Sequence, residues 1–139
     1  MNTAFLVLLA FYLVKILLFY TGARRATRSA HSQTKPTVSV IVAARNEEHN
    51  IADCLESLAA LRYEEGCMEI LVVDDQSTDR TGEIIATYAA RVPHLRRIET
   101  VGSVHGLRGK ANAITQAIEQ STGEIILTTD ADCRVPPQW

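Results

Sequence analysis

The stretch VSVIVAARNEEHNIADCLESL, residues 38–58, decides the fold. Its first seven residues are apolar and rich in β-branched side chains, the composition of a strand buried on both faces. Asn46 is a good helix N-cap, and Glu47 and Glu48 suit the positive end of a helix dipole. Ile51, Cys54, Leu55, Leu58 and Leu61 then recur at helical spacing. The rest of the chain repeats this strand–helix unit. Residues 69–73 (EILVV) form a second strand and residues 76–79 (QSTD) a turn and cap. Ile84, Ile85, Tyr88 and Val92 share one face of a helix that Pro93 ends. A weaker third strand over residues 95–101 leads through a Gly-rich loop, 102–109, into a helix over 110–120 carrying Ala111, Ile114, Ala117 and Ile118. The fourth strand covers residues 124–129 (EIILTT). The order β-α-β-α-β-α-β predicts an α/β protein: a parallel Rossmann-like sheet covered on both faces, with right-handed crossovers.

The formal net charge of −2 averages two unlike pieces. Residues 1–36 carry five basic groups and no acid, hence +5. Residues 37–139 carry nine basic groups against sixteen acids, hence −7. The second piece is long enough for one core and too regular for disorder. Its acidity argues against a nucleic-acid-binding protein, which would be basic.

Residues 4–20, AFLVLLAFYLVKILLFY, hold one charge, Lys15, and reach the length of about 17 residues that a membrane helix needs. Lys15 lies toward one end, where its stem can snorkel. A cleaved signal peptide would want basic residues before the apolar run, and here they follow it. A retained anchor over residues 1–22 is therefore the favoured reading, ahead of a signal peptide or a buried helix. Arg24, Arg25 and Arg28 then put the following chain in the cytoplasm, at the inner membrane of a cell. Residues 23–36 read as a basic linker, ending in the polar SAHSQTKP. Cys54, Cys67 and Cys133 are odd in number, without C-x-x-C spacing, and suit a reducing compartment.

In open parallel sheets, ligands bind beyond the carboxyl ends of the strands, where strand order reverses. Here the first strand runs into Arg45-Asn46-Glu47, the second into Asp74-Asp75 and the fourth into Asp130-Ala131-Asp132. Each acid has a bland reading as a cap, but three strand ends together favour a site that holds a cation or polar ligand. If the chain stays extended past the fourth strand, Asp130 and Asp132 point the same way. Paired carboxylates suit Mg²⁺ or Mn²⁺, with substrate phosphates completing the shell. Arg108 and Lys110, at a helix start after Gly102, Gly106 and Gly109, supply the opposite charge for a phosphate. Walker A is excluded, since Val104 stands at its first glycine and Ala111 follows Lys110. The dinucleotide fingerprint is excluded because AARNEEHN after the first strand has no glycine. The four histidines have no metal-cluster spacing.

The stretches PTVSVIVAARNEEHNIADCLESL, EILVVDDQSTDRT, GLRGKANAI and GEIILTTDADC together resemble the inverting nucleotide-sugar transferases of glycosyltransferase family 2, in that family's order and spacing from Pro36 to Cys133. The resemblance implies a GT-A fold and a metal-dependent enzyme. It also implies a role for each matched position. Ala43, Ala44, Arg45 and Glu47 would embrace the nucleoside. Asp75, with Asp74 in support, would meet the base or ribose. Lys110 would approach the base or diphosphate. Asp130 would sit by the ribose and diphosphate, and Asp132, with Asp130, would hold Mg²⁺ or Mn²⁺. Gln76 stands where glycine is common in the family, and Thr115 where asparagine is. The family's catalytic carboxylate and acceptor pocket lie on a later segment, so no catalytic base is expected before Trp139.

Residues 37–139 are thus expected to be the donor-binding part of a membrane-anchored transferase. It would take a nucleotide-sugar, most simply a UDP-sugar, and serve a polysaccharide or lipid acceptor that no residue here identifies. A haloacid-dehalogenase-like phosphatase fits poorly, because Arg134 breaks its D-x-D-x-[TV] pattern and the motif follows the wrong strand. A non-catalytic, membrane-tethered nucleotide-binding module stays open as the second reading.

Overall fold

Helix α1 spans Thr3–Arg28, past the expected end of the anchor at residue 22. The computed structural model describes residues 3–28 and 35–139, which fall into two units, one within Met1–Thr34 and one over Lys35–Trp139. Within α1, Phe5–Gly22 is an apolar stretch of 18 residues with none of its side chains buried. Of the basic linker expected over residues 23–36, residues 23–28 continue α1 and residues 29–34 lie outside the described residues.

The second unit is a four-stranded parallel sheet. Its elements are β1 (Val38–Ala44), α2 (Ile51–Ala59), β2 (Met68–Asp74), α3 (Thr81–Arg91), β3 (Leu95–Glu99), α4 (Gly109–Gln120) and β4 (Ile125–Asp130). Strand order is β3-β2-β1-β4, every neighbour pair parallel. The alternation of side chains along each strand divides the core in two. Val38, Val40, Val42 and Ala44 of β1, with Ile70 and Val72 of β2, pack against Ile51, Cys54, Leu55 and Leu58 of α2 and Ile85 of α3. On the other face, Ile41, Leu71, Val73 and Ile98 pack against Ala113 and Ala117 of α4. The small residues of α4 let it approach the sheet closely. Both faces of β1 and β2 are therefore covered, as the apolar runs predict.

Strand β4 is the exception, because it is an edge strand. Ile125 and Ile126 are 42% and 38% exposed although EIILTT reads as a buried run. What holds β4 in register is polar. Ser39, fully buried, donates its hydroxyl to Glu69 (2.6 Å) and accepts from the Gly123 amide (2.8 Å). The same Glu69 oxygen accepts from the amide and hydroxyl of Thr122 at 2.6 and 2.9 Å. Gly123 fits this close approach because a Cβ there would lie 2.4 Å from the Ser39 nitrogen.

The helix starting near residue 46 begins later than its sequence suggests. Asn46 is not its cap. It lies in the left-handed region (φ 55°), and α2 starts at Ile51 after a turn in which the amides of Asn50 and Ile51 donate to the Glu47 carbonyl. Asparagine is among the few non-glycine residues that adopt this conformation readily.

Candidate active site

The chain order β1-β2-β3 runs outward from β1 in one direction, and β4 adds on the opposite side of β1. The strand order thus reverses between β1 and β4, and the loops beyond their carboxyl ends splay apart there. A cavity of about 310 Å³ lies at that edge, lined by Ala43, Ala44, Arg45, Glu47, Asp75, Gly109, Lys110, Asp130, Ala131 and Asp132. Eight of the nine residues singled out from the sequence line this one cavity.

The wall from β2 is Asp75. It is buried, accepts from the Thr100 hydroxyl at 3.4 Å and faces the Arg45 guanidinium at 3.8 Å. Asp74 is the predicted residue that the fold keeps away from the cavity. Neighbouring side chains of a strand end point to opposite sides. Asp74 accordingly accepts the Ser77 amide (3.0 Å) and pairs with Arg97 (3.2 Å). Its support of Asp75 is through the backbone turn, not at the cavity wall.

The wall from β4 is Asp130 and Asp132, separated by buried Ala131. The chain does not stay extended here: β4 ends at Asp130, and the Cys133 amide donates to the Asp130 carbonyl at 3.1 Å, closing a turn. Both carboxylates still line the cavity, now through that turn. Lys110, in the first turn of α4, forms an ion pair with Asp130. Among the described residues Asp132 has no cationic partner of this kind, and its carboxylate accepts from the Cys133 thiol (3.6 Å). Arg108 precedes α4 in extended backbone and does not line the cavity, so Lys110 alone represents that pair.

Gly109 and Lys110, which open α4, line the cavity, and the cap residue Arg108 makes no side-chain cap hydrogen bond to the first amides. The preceding Gly-rich loop is tied down by α4 itself. Buried Asn112 accepts from the Val104 amide (2.8 Å) and donates to the Gly102 carbonyl (2.8 Å). Buried Gln116 accepts from the Val101 amide at 2.9 Å. Sequence reading passed over these two amides, although polar side chains on the apolar face of a helix were a usable signal. It also passed over Ala131, which lines the cavity without any functional group, and took Gly109 only as part of the Gly-rich loop.

Among the described residues, no cluster of three or more His, Cys, Asp or Glu side chains forms a metal cage. The donor set still fits a hard cation of the kind that keeps a substrate as part of its shell: Asp132 is an exposed carboxylate on the cavity wall and Asp130 stands beside it. Magnesium is commonly held by one or two carboxylates together with substrate phosphates. Burial, reinforced by nearby Cys133 and Asp132, pushes the Cys54 thiol up to about 11, so it is protonated at neutral pH.

Known proteins resemble this chain in sequence and fold. The family model described as Glycosyl transferase family 2 matches residues 39–139. The chain is 39% identical over 100 residues to the beta-monoglucosyldiacylglycerol synthase of Nostoc sp., a match covering 72% of this chain and 21% of that protein. It is 34% identical over 105 residues to the poly-beta-1,6-N-acetyl-D-glucosamine synthase of Staphylococcus epidermidis, covering 76% and 24%. Among solved structures, the mannosyltransferase PcManGT from Pyrobaculum calidifontis, in complex with GDP-Man and Mn2+, superposes with a TM-score of 0.65 at 32% identity, over 94% of this chain and 39% of that one. TarS of S. aureus in complex with UDP gives 0.60 at 32% identity, over 73% and 29%. The chain spans about a fifth to a third of the length of the curated relatives it matches. With a matching family model over most of its length and a parallel sheet like that of the solved transferases, the chain belongs to glycosyltransferase family 2 and has the GT-A type of fold.

Proposed function

We propose that the cavity at the β1/β4 edge is the donor site of a nucleotide-sugar transferase, and that it takes a UDP-sugar together with Mg²⁺ or Mn²⁺. The observation that carries this reading is the separation of charge within one cavity. Carboxylates at the ends of β2 and β4 face a lysine and uncapped amides at the start of α4. Ala43 and Ala44 give a floor without bulk, against which a planar base fits. Asp75 and Glu47 offer acceptors to the N–H and hydroxyl groups of a nucleoside. Lys110 and the α4 amides offer donors to a diphosphate.

Asp132 and Asp130 would hold the cation. It supplies a Lewis acid for the diphosphate, whose negative charge grows as the sugar departs. Lys110, which pairs with Asp130, would add positive charge for the same diphosphate, because a preorganised cation stabilises developing charge without having to reorient. In the complete reaction an acceptor hydroxyl would attack the anomeric carbon opposite the nucleotide. The new C–O bond forms as the bond to the diphosphate breaks, and the hydroxyl proton passes to a base. None of the acids lining the cavity is free of a donor-site role, so the base is proposed to lie on another segment of the whole protein. The GDP-Man in the PcManGT structure makes GDP the necessary comparison for donor choice.

We also propose that α1 anchors the protein in a membrane, with the sheet on the cytoplasmic side. An apolar helical stretch of 18 residues spans about 27 Å, close to the hydrocarbon thickness. Arg24, Arg25 and Arg28 follow it, as the positive-inside rule requires of a cytoplasmic flank. The polar linker at 23–36 and the donor-binding part at 37–139 complete the proposed organisation.

Calorimetric titration of the full chain in detergent with UDP and with GDP, with and without Mn²⁺, tests the site. UDP should bind more tightly with Mn²⁺, and Asp132→Asn should weaken that binding by about 10–100-fold, the usual loss when a ligand set is disturbed. Equal binding by both proteins, whether or not Mn²⁺ is present, would remove the metal role.

A further inference from the structure

The segment after β1, residues 45–48, carries two of the cavity-lining side chains, Arg45 and Glu47, yet it is neither strand nor helix. Something outside it must hold its shape. Three successive amides answer this, each donating to a different side chain of the stretch that runs from the end of β2 into the first residue of α3. The Asn46 amide donates to Ser77 Oγ at 3.1 Å, the Glu47 amide to Thr81 Oγ1 at 2.8 Å, and the Glu48 amide to Asp79 Oδ2 at 3.1 Å. The lacing runs both ways. Thr78 donates its amide to Asn46 Oδ1 at 2.8 Å, and Arg80 donates its amide to Glu48 Oε2 at 3.2 Å. Asp79 closes the set by accepting the Thr81 amide at 2.9 Å.

Two features show that this is more than surface hydrogen bonding. Thr81 is fully buried, so its hydroxyl has given up water for the Glu47 amide. Asn46 and Gln76 both sit in the left-handed region, at φ 55° and 58°, one on each of the laced segments. Asparagine enters this region readily, but a glutamine such as Gln76 holds it only where the surroundings over-determine the backbone. The carboxyl of Asp79 responds as a true acceptor: burial works against its charge, but hydrogen bonds from Thr81 and the Glu48 amide outweigh that and hold it below the ordinary aspartate range.

We propose that Asn46, Asp79 and Thr81 are positioning residues for donor binding. None of the three lines the cavity itself; they act by fixing the backbone that aims Arg45 and Glu47 at the nucleoside. The proposal rests on the donor-site reading above and assigns the nucleoside end of the site, not the diphosphate end, to this brace. Diphosphate recognition belongs to Lys110, Asp130 and Asp132, on elements that the lacing does not reach. Loss of the brace should therefore cost nucleoside recognition selectively.

The test measures binding of UDP and of pyrophosphate, each with Mn²⁺, to the full chain in detergent at a temperature well below its melting point. Thr81→Val keeps the shape and strands the Glu47 amide. It should weaken UDP about tenfold or more while leaving pyrophosphate within about twofold, and Thr81→Ser should restore UDP binding. Asn46→Gly keeps the left-handed backbone but removes the acceptor for Thr78, so it should act in the same direction if Thr81→Val does not fold. Amide exchange at Glu47 and Glu48 should accelerate in both variants. Unchanged UDP binding in a folded variant, or equal losses for UDP and pyrophosphate, would overturn the positioning role alone. A wild-type chain that binds neither ligand would overturn the donor-site reading and this one with it.

Discussion

Lys110 connects two strands of the argument at the level of single residues. It stands in the first turn of α4, where the dipole already attracts anions, and it is paired with Asp130 across the point where strand order reverses. A nucleoside diphosphate arriving with a cation can satisfy both partners anew. Lys110→Ala should lower UDP affinity about 10–100-fold, the range for a lost charge-assisted hydrogen bond, while Mn²⁺ dependence persists. Titration of that variant with and without Mn²⁺ checks both halves of the statement. Residues of this kind were legible because strand ends and helix starts place charged side chains with little freedom. A pair at a strand end offers one residue to each side, and it was the resemblance, not the local pattern, that gave the contact to Asp75 with Asp74 in support. Asn46 misled for a related reason: one short amide side chain suits a helix cap and a left-handed turn equally well. Ala131 carries no chemistry to notice.

Among the elements, β1 was read with its observed limits, Val38–Ala44, and the other strands lie within two residues of their expected limits. In contrast, α1 runs six residues past the expected end of the anchor and α2 begins about five residues late. β-branched runs and helical spacing report burial directly, so the interior elements were plain. Strand β4 was harder because its apolar residues look buried, whereas an edge position leaves them partly open. Its attachment depends on Glu69, whose partners lie far away in sequence and leave no local pattern. Burial opposes the Glu69 charge, but hydrogen bonds from Ser39 and Thr122, with Arg96 nearby, prevail and hold its carboxyl below the ordinary glutamate range. A lowered folded value means that the contribution is complete above the unfolded pKa, about 4.3, and is lost as pH falls through the folded value. Chemical denaturation of the full chain at a series of pH values should show wild type more stable than Glu69→Gln near pH 7. The gap should shrink below about pH 4. A gap that is constant down to pH 3 would mean that the Glu69 charge does not hold β4.

For the whole molecule, the proposal joins an apolar helix to an acidic α/β unit through a basic segment. A single cysteine at position 33, in a background lacking Cys54, Cys67 and Cys133, should resist membrane-impermeant thiol reagents in intact cells and react after lysis. Prompt labelling in intact cells would reverse the proposed orientation. The central claim concerns the other unit: that a nucleoside diphosphate binds where the strand order reverses. Amide shift mapping of the full chain in micelles tests it most directly, by titrating UDP in the presence of Mg²⁺. The account predicts that the largest shifts fall on Ala44, Arg45, Asp75, Gly109, Lys110, Asp130 and Asp132. Saturating shifts confined to the opposite end of the sheet, around Tyr63 and His94, would contradict it.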